Sequence, residues 1–275
     1  MTAIGIPRAF VFRRLHSLMG LWLVLFLMEH LLVNSQAAIW LGESGQGFVR
    51  MVNSIHNLPY LEALEVFLLG VPILLHLVLG VRSLLTSKPN FSKSDGTTPS
   101  IRQGRNRAYS WQRITSWILL IGLIGHVVKF RFLDYPNSVQ LSNKTSYITI
   151  IGKDPGVHRL ADRLGVRLYD AEDQKSTEWL EKYPLKGSQV IAVSQDFGTA
   201  SLMSVRDTFQ SPIYCILYTL FVLAACFHGF NGFWTFLITW GLILKMSAQR
   251  TWVGIATGVM ILIIFLGLAS IWGSY

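Results

Sequence analysis

Four histidines, His30, His76, His126 and His228, stand one apiece inside four separate apolar runs. An imidazole can ligate a metal through a neutral nitrogen or carry a proton near neutral pH. Ionisable groups are costly inside a membrane, so they tend to face a bundle interior and hold a partner or ligand. A single histidine of this kind is ordinarily a packed or hydrogen-bonded residue. Four matched ones leave two chemistries open. Two imidazoles from facing helices at equal depth supply the two axial ligands of a six-coordinate haem iron, and bundle cores commonly host such sites. The same quartet, with Glu29 beside His30, could instead form a proton relay. A carboxyl at that position calls for a proton or a partner, because burying it charged and alone is expensive.

The elements that must position these groups are five apolar spans, long enough to cross a bilayer. Span I follows a short basic arm and runs to about Leu41, with Asn34 and Gln36 in its second half. After a connector with Gly42, Gly45, Gly47, His56 and Pro59, span II runs from near Leu61 to about Leu85. Pro72 is expected to kink it, which neighbouring helices can accommodate. Residues 86–110 read as a solvated loop, and span III covers about Trp111–Leu133. Span IV opens after Ser211-Pro212, and its apolar character persists past Trp240, so it is expected to tilt or overshoot the bilayer. Span V, Thr251–Trp272, has no histidine and reads as a packing helix. No signal-peptide cleavage pattern follows the first apolar run, which is therefore read as mature structure.

Composition agrees with this class. The 275 residues are 51% hydrophobic and 14% charged, with a mean hydropathy of +0.42. The formal charge of +9 is uneven. Residues 134–210 carry nine basic against ten acidic side chains, and the remainder carries fifteen against five. Basic residues next to apolar runs mark the cytoplasmic side, and nucleic-acid binding is disfavoured. With the N-terminus in the cytoplasm, that side collects Arg8, Arg13, Arg14, Arg82, Lys88, Lys93, Arg102, Arg105, Arg107, Arg113, Lys245 and Arg250. The opposite side keeps Arg50, Lys129 and Arg131, and the C-terminus lies outside. Cys215 and Cys226 are about 16 Å apart along one helix at ~1.5 Å per residue, too far to bridge. No C-x-x-C-H motif occurs, so any haem is held without a covalent link.

Residues 134–210 are too long for an unstructured loop and are expected to form a small extracytoplasmic cap. Tyr147–Ile151 and Gln189–Val193 read as strands, His158–Leu164 and Thr177–Tyr183 as helices, and His158 as a surface histidine. The chain thus divides into 1–133, 134–210 and 211–275. The fold class is an all-α integral membrane bundle of five helices with a soluble cap inserted between helices III and IV.

Depth sorts the histidines. At ~1.5 Å per residue, His30 lies about 15 Å and His126 about 10 Å from the outer ends of their spans. His76 and His228 lie deeper, at about 20 Å and 24 Å from theirs. This gives an outer pair, His30 with His126, and an inner pair, His76 with His228. Gly122, Gly80 and Gly232 stand at i±4 from His126, His76 and His228, leaving room for a planar macrocycle. Such glycines are also common at any membrane helix interface. Arg13, Arg14, His16, Ser17 and Arg113 could receive haem propionates at the cytoplasmic ends, with Lys129 and Arg131 at the outer end. Each could equally anchor its helix at the interface. Glu65, at the outer end of span II, is a candidate for passing protons to a quinone or an ordinary interfacial carboxylate.

The strings RRLHSL, EHLLVN, ALEVF, HLVLG, QRIT, GHVVKFR and FHGFNGFW, in this order, resemble the di-haem cytochrome b subunit of succinate dehydrogenases (succinate:quinone oxidoreductases) and related quinol:fumarate reductases. The resemblance covers residues 8–133 and 211–273. It implies two b-type haems with bis-histidine ligation, His76 and His228 holding the inner one and His30 and His126 the outer. It implies flavoprotein and iron–sulfur partner subunits on the cytoplasmic side, electron exchange with membrane quinone, and a place in the respiratory chain and tricarboxylic acid cycle at the bacterial cytoplasmic membrane. Glu65 matches a carboxylate linked to quinone chemistry on the outer side. Family members are expected to have a short loop where this chain carries 134–210. The chain has no flavin or iron–sulfur motif, so succinate oxidation needs the partners. Fumarate reduction by quinol and a cofactor-free proton-coupled transporter are the alternative readings.

Overall fold

The computed structural model describes residues 6–38, 45–86, 104–141, 143–176 and 178–274. Among the described residues, five helices are long and apolar enough to cross a membrane: α1 (Arg8–Ser35), α3 (Leu61–Thr86), α4 (Gly104–Leu133), α8 (Pro212–Thr239) and α9 (Met246–Trp272). Their 26–30 residues correspond to about 39–45 Å at ~1.5 Å per residue, more than the ~30 Å hydrocarbon core. Large apolar side chains remain exposed along them, Phe67 and Ile121 among the most open, as lipid-facing positions require. The chain is an α-helical integral membrane protein with a soluble insertion between its third and fourth spans. The expected end of span I near Leu41, most of the 86–110 loop and Thr177 lie outside the described residues.

Contacts divide the chain into two units: Met1–Leu32, Tyr60–Ile121 and Leu220–Leu266 form one, and Val33–Pro59, Gly122–Thr219 and Gly267–Tyr275 the other. In the first unit, α3 departs from regular winding. Val66–Gly70 form a π turn just before Pro72, whose ring has no N–H to give Leu68. The Leu68 carbonyl accepts instead from the Trp22 indole at 2.6 Å. The expected kink is thus a widened turn stitched to α1.

The apolar run past Trp240 does not prolong span IV. Helix α8 stops at Thr239. Gly241 takes a left-handed φ of 72°, with Leu242 N–H on the Leu237 carbonyl and Gly241 N–H on that of Ile238, both 2.9 Å. This is a Schellman ending, which satisfies the last carbonyls of a helix through a residue best supplied by glycine. Span V starts earlier than its sequence pattern indicated, at Met246.

The second unit is built on an antiparallel sheet, β1 (Asn137–Leu141), β2 (Lys144–Gly152), β3 (Arg167–Tyr169) and β4 (Gln189–Ser194) in the order β1-β2-β4-β3. Strands β2 and β4 match and extend the expected pair, whereas β1 and β3 are additional. Strand side chains alternate between faces. Ile151, Val190 and Ala192 therefore pack on one side with Val157, Leu160 and Ala161 of α5 (Pro155–Leu164) and with Met203. Ile148, Ile191 and Val193 pack on the other around Leu180, which belongs to a 3-10 turn at Glu178–Lys182 where a helix was expected. Helix α5 starts three residues before its expected start because Asp154 caps it, accepting from Gly156 and Val157 N–H. A short α6 (Ala171–Ser176) and a longer α7 (Phe197–Phe209) complete the insertion.

The connector after span I is not a plain loop. It contains α2 (Gln46–His56), whose Phe48 and Val49 pack with Val33, Ala37 and Leu202. Asn53 donates to Asp196 Oδ1 and accepts from Gly198 N–H, both at 2.7 Å. A Cβ on Gly198 would lie 2.6 Å from the Val49 carbonyl, so only glycine permits this approach. The connectors after spans I and III therefore meet.

Candidate functional site

The inner pair sits in the first unit, on α3 and α8. The His76 and His228 rings are 6.3 Å apart, centroid to centroid, and nearly perpendicular at 81°. Each is tied through one nitrogen. His76 Nδ1 lies 3.1 Å from the His16 carbonyl, and His228 Nδ1 lies 3.3 Å from the Gln112 carbonyl. A carbonyl can only accept, so both Nδ1 atoms carry the proton and both Nε2 atoms keep their lone pairs. Such fixing of the tautomer by the other ring nitrogen is the usual arrangement for a metal-binding histidine.

A third imidazole completes the cluster. The His16 ring stacks on His76 at 4.0 Å and 15°, and its buried Nδ1 has no hydrogen-bond partner among the described residues. Two glycines make room for these rings. A Cβ on Gly20 would stand 3.0 Å from His76 Cε1, and one on Gly80 would stand 3.3 Å from His16 Cε1. Gly80, read from its spacing as room beside His76, here faces His16.

The His228 ring is held by a chain of amides that sequence reasoning missed. Trp234 Nε1 donates to Asn231 Oδ1 at 2.9 Å, Asn231 Nδ2 to Gln112 Oε1 at 2.7 Å, and Gln112 Nε2 to the His228 carbonyl at 3.0 Å. The Gln112 amide packs beside Gly232, where a Cβ would stand 3.9 Å from Nε2, an ordinary van der Waals distance. The available signal was a polar residue inside each of two apolar strings, QRIT and FHGFNGFW.

The basic and hydroxyl candidates bind main chain and rings instead of converging on one point. Arg14 donates to the Thr239 carbonyl and lies over the Phe10 and Trp240 rings. Ser17 accepts from the Trp240 indole at 3.3 Å, so both residues brace the end of α8. Arg113 donates to the Leu84 carbonyl at 3.2 Å near the end of α3. Arg13 is exposed and folds back on the Ala9 carbonyl at 3.3 Å.

The remaining candidates are placed as follows. His30 is half-buried in α1, 5.3 Å from the Phe26 ring, and Glu29 beside it is exposed. Glu65 is half-buried on α3, one residue before the π turn. In the second unit, His126 Nδ1 lies 3.4 Å from the Tyr218 hydroxyl, and Phe130 lies 5.4 Å from the His126 ring and 6.0 Å from that of Tyr218. Lys129 pairs with Asp134 at 2.5 Å, closing the π turn that ends α4. Cys215 and Cys226 are free and buried, and His158 is exposed.

The inner cluster can accept a haem iron on chemical grounds. It offers two neutral imidazoles from different spans with Nε2 as the donor atom, an orphaned buried nitrogen beside them, and ring-facing glycines. Spans, insertion and cluster together define a multi-pass helical membrane protein with imidazoles paired between its helices. Over 265 residues, 96% of each chain, it is 26% identical to the succinate dehydrogenase cytochrome b558 subunit of Bacillus subtilis (strain 168). The resemblance read from its histidine-bearing strings is thereby borne out, and the similarity extends beyond the residues that carried it. No protein-family model matches the sequence, and no solved structure matches it.

Proposed function

We propose that this chain is the haem-bearing membrane subunit of a succinate dehydrogenase, carrying electrons between an iron–sulfur partner and membrane quinone. The observation that carries the reading is the His76–His228 pair, with each Nδ1 committed to a main-chain carbonyl and each Nε2 left to ligate. The cytochrome b558 relative supports the same conclusion. A b-type haem supplies a one-electron couple between ferric and ferrous iron. The protein's own part is to hold two neutral imidazoles in a fixed tautomer and to keep bulk water from them with apolar helices. His76 and His228 are the proposed inner ligands, and His30 and His126 the ligands of a second, outer haem, two haems b in all.

The partners are a flavoprotein and an iron–sulfur subunit on the cytoplasmic face, in keeping with the basic residues collected there. The membrane is the bacterial cytoplasmic membrane, with the N-terminus inside. Glu65 is the proposed proton-handling group for quinone near the outer face. Arg13, Arg14, His16, Ser17 and Arg113 are the proposed propionate-side residues at the cytoplasmic ends of the spans, where Arg14, Ser17 and Arg113 would exchange their present main-chain and indole partners for the propionates. Moving one charge across the membrane is worth about 2.3 kcal/mol per 100 mV, so the direction of flow is linked to the membrane potential, and fumarate reduction by quinol is the same chemistry reversed. The test is succinate-dependent quinone reduction by membranes with and without this chain. Loss of that activity on deletion, with partner subunits released from the membrane, is expected. Unchanged activity and attachment would refute the proposal.

A further inference from the structure

Gln112 and its amide chain have no role in the function proposed above, yet they form a continuous run of side-chain hydrogen bonds between two spans. Their direction is fixed by one end. The Trp234 indole can only donate, so Asn231 must present Oδ1 to it and Nδ2 to Gln112. Gln112 must then present Oε1 to Asn231 and Nε2 to the His228 carbonyl. The return contact runs the other way, from His228 Nδ1 to the Gln112 carbonyl at 3.3 Å. Gln112 and His228 are thus bracketed by two antiparallel hydrogen bonds, one from each side chain to the other's main chain.

We propose that Gln112, oriented by Asn231 and Trp234, is a positioning residue that fixes the His228 ring and thereby sets the potential of the inner haem. This rests on the reading of His228 as an axial ligand. A hydrogen bond from Nδ1 to a carbonyl makes the imidazole a stronger donor to iron. Stronger donation favours the ferric state and lowers the potential. Removing the bracket lets α4 and α8 shift, lengthens that bond, and raises the potential.

The experiment is a redox titration of the purified wild-type complex and its Gln112→Leu variant, followed by visible absorbance and by the low-spin ferric resonance signal. The expected result is two haems per chain in both proteins. In the variant, one haem's ferric-to-ferrous ratio at fixed potential falls about tenfold, equal to about 59 mV for a one-electron couple. The other haem is unchanged. Gln112→Glu, whose neutral carboxyl keeps one acceptor and one donor, restores the wild-type value. Should Gln112→Leu not accumulate, Asn231→Ser reads the same bracket from its other end, with a shift in the same direction. Two haems with unchanged potentials and signals in these variants overturn this proposal alone, as does an equal shift of both haems. A wild-type complex without haem overturns it together with the function it rests on.

Discussion

Gln112 and His228 each donate a hydrogen bond to the other's main-chain carbonyl, at 3.0 and 3.3 Å. This reciprocal pair joins the third and fourth spans at the level of the imidazole. It gives the His228 ring one orientation and one tautomer without help from any charged group. His76 is fixed by the same device, with the His16 carbonyl as acceptor.

Removing a ligand should remove one haem and spare the fold. In His228→Ala, haem per chain is expected to fall from two to one, with quinone-linked turnover lost and helical content by circular dichroism retained. Haem extraction and quantification is the check. A variant that keeps both haems and its activity would contradict the assignment of His228.

Gly20 should be intolerant of even the smallest side chain. A Cβ there lies 3.0 Å from His76 Cε1, tighter than nine in ten real contacts of this kind, and the ring that would have to yield is already backed by His16. Gly20→Ala is expected to push the His76 ring out of place, altering or abolishing the spectrum of one haem while the other persists. An unchanged pair of haem spectra would show that the cluster has slack.

The Trp22 indole holds a carbonyl that Pro72 cannot serve. Trp22→Phe keeps the aromatic bulk and removes the donor, leaving Leu68 O without its partner. Interhelical hydrogen bonds in membranes are worth about 0.6 kcal/mol on average and up to about 1.7, so a loss of about 1 kcal/mol is expected. Thermal unfolding in detergent should show a lower midpoint for Trp22→Phe, and no change for a conservative substitution at exposed Phe67.

Two carboxylates should give the cap opposite pH dependences. Arg206, hydrogen-bonded to Asp154 at 2.9 and 3.1 Å, holds the Asp154 carboxyl below the usual range. Its stabilisation is full above the unfolded pKa, about 3.9, and is lost as pH falls through the lower folded value. Burial raises Asp207, against the Gly152 N–H bond and the opposing charge of Lys129, with Asp134 and Asp154 adding to the rise. Its contribution is present below the unfolded pKa and lost as pH climbs through the folded one. Asp207→Asn keeps an oxygen for Gly152 and should slow amide exchange at Ile151 and Val190 at pH 7. Arg206→Leu should accelerate it, by the equivalent of about 2 kcal/mol for a bond to a charged group. The same ranking of the variants reversed at pH 7 would contradict these signs.

Periodicity and apolar length made the spans legible, because a helix in lipid must satisfy its own main chain and advertise that with a long apolar run. Depth counting paired His76 with His228, and those two rings lie together. What stayed hidden depended on main-chain geometry. The amphipathic α2 looked like a glycine-rich connector because its apolar face is short and packs on residues distant in sequence, such as Leu202. The stop at Thr239 rests on one left-handed glycine inside a run that stays apolar. The third imidazole, His16, reached His76 because Gly20 and Gly80 remove two side chains, a relation invisible until the helices are laid side by side. Gln112 escaped notice because its partner is a carbonyl, which every residue has.

The most direct measurement is a reduced-minus-oxidised visible spectrum of the purified protein from haem-replete cells, with haem quantified per chain. The account expects b-type absorption and two haems per chain. A folded, colourless preparation would contradict it and leave a proton relay as the use of these histidines.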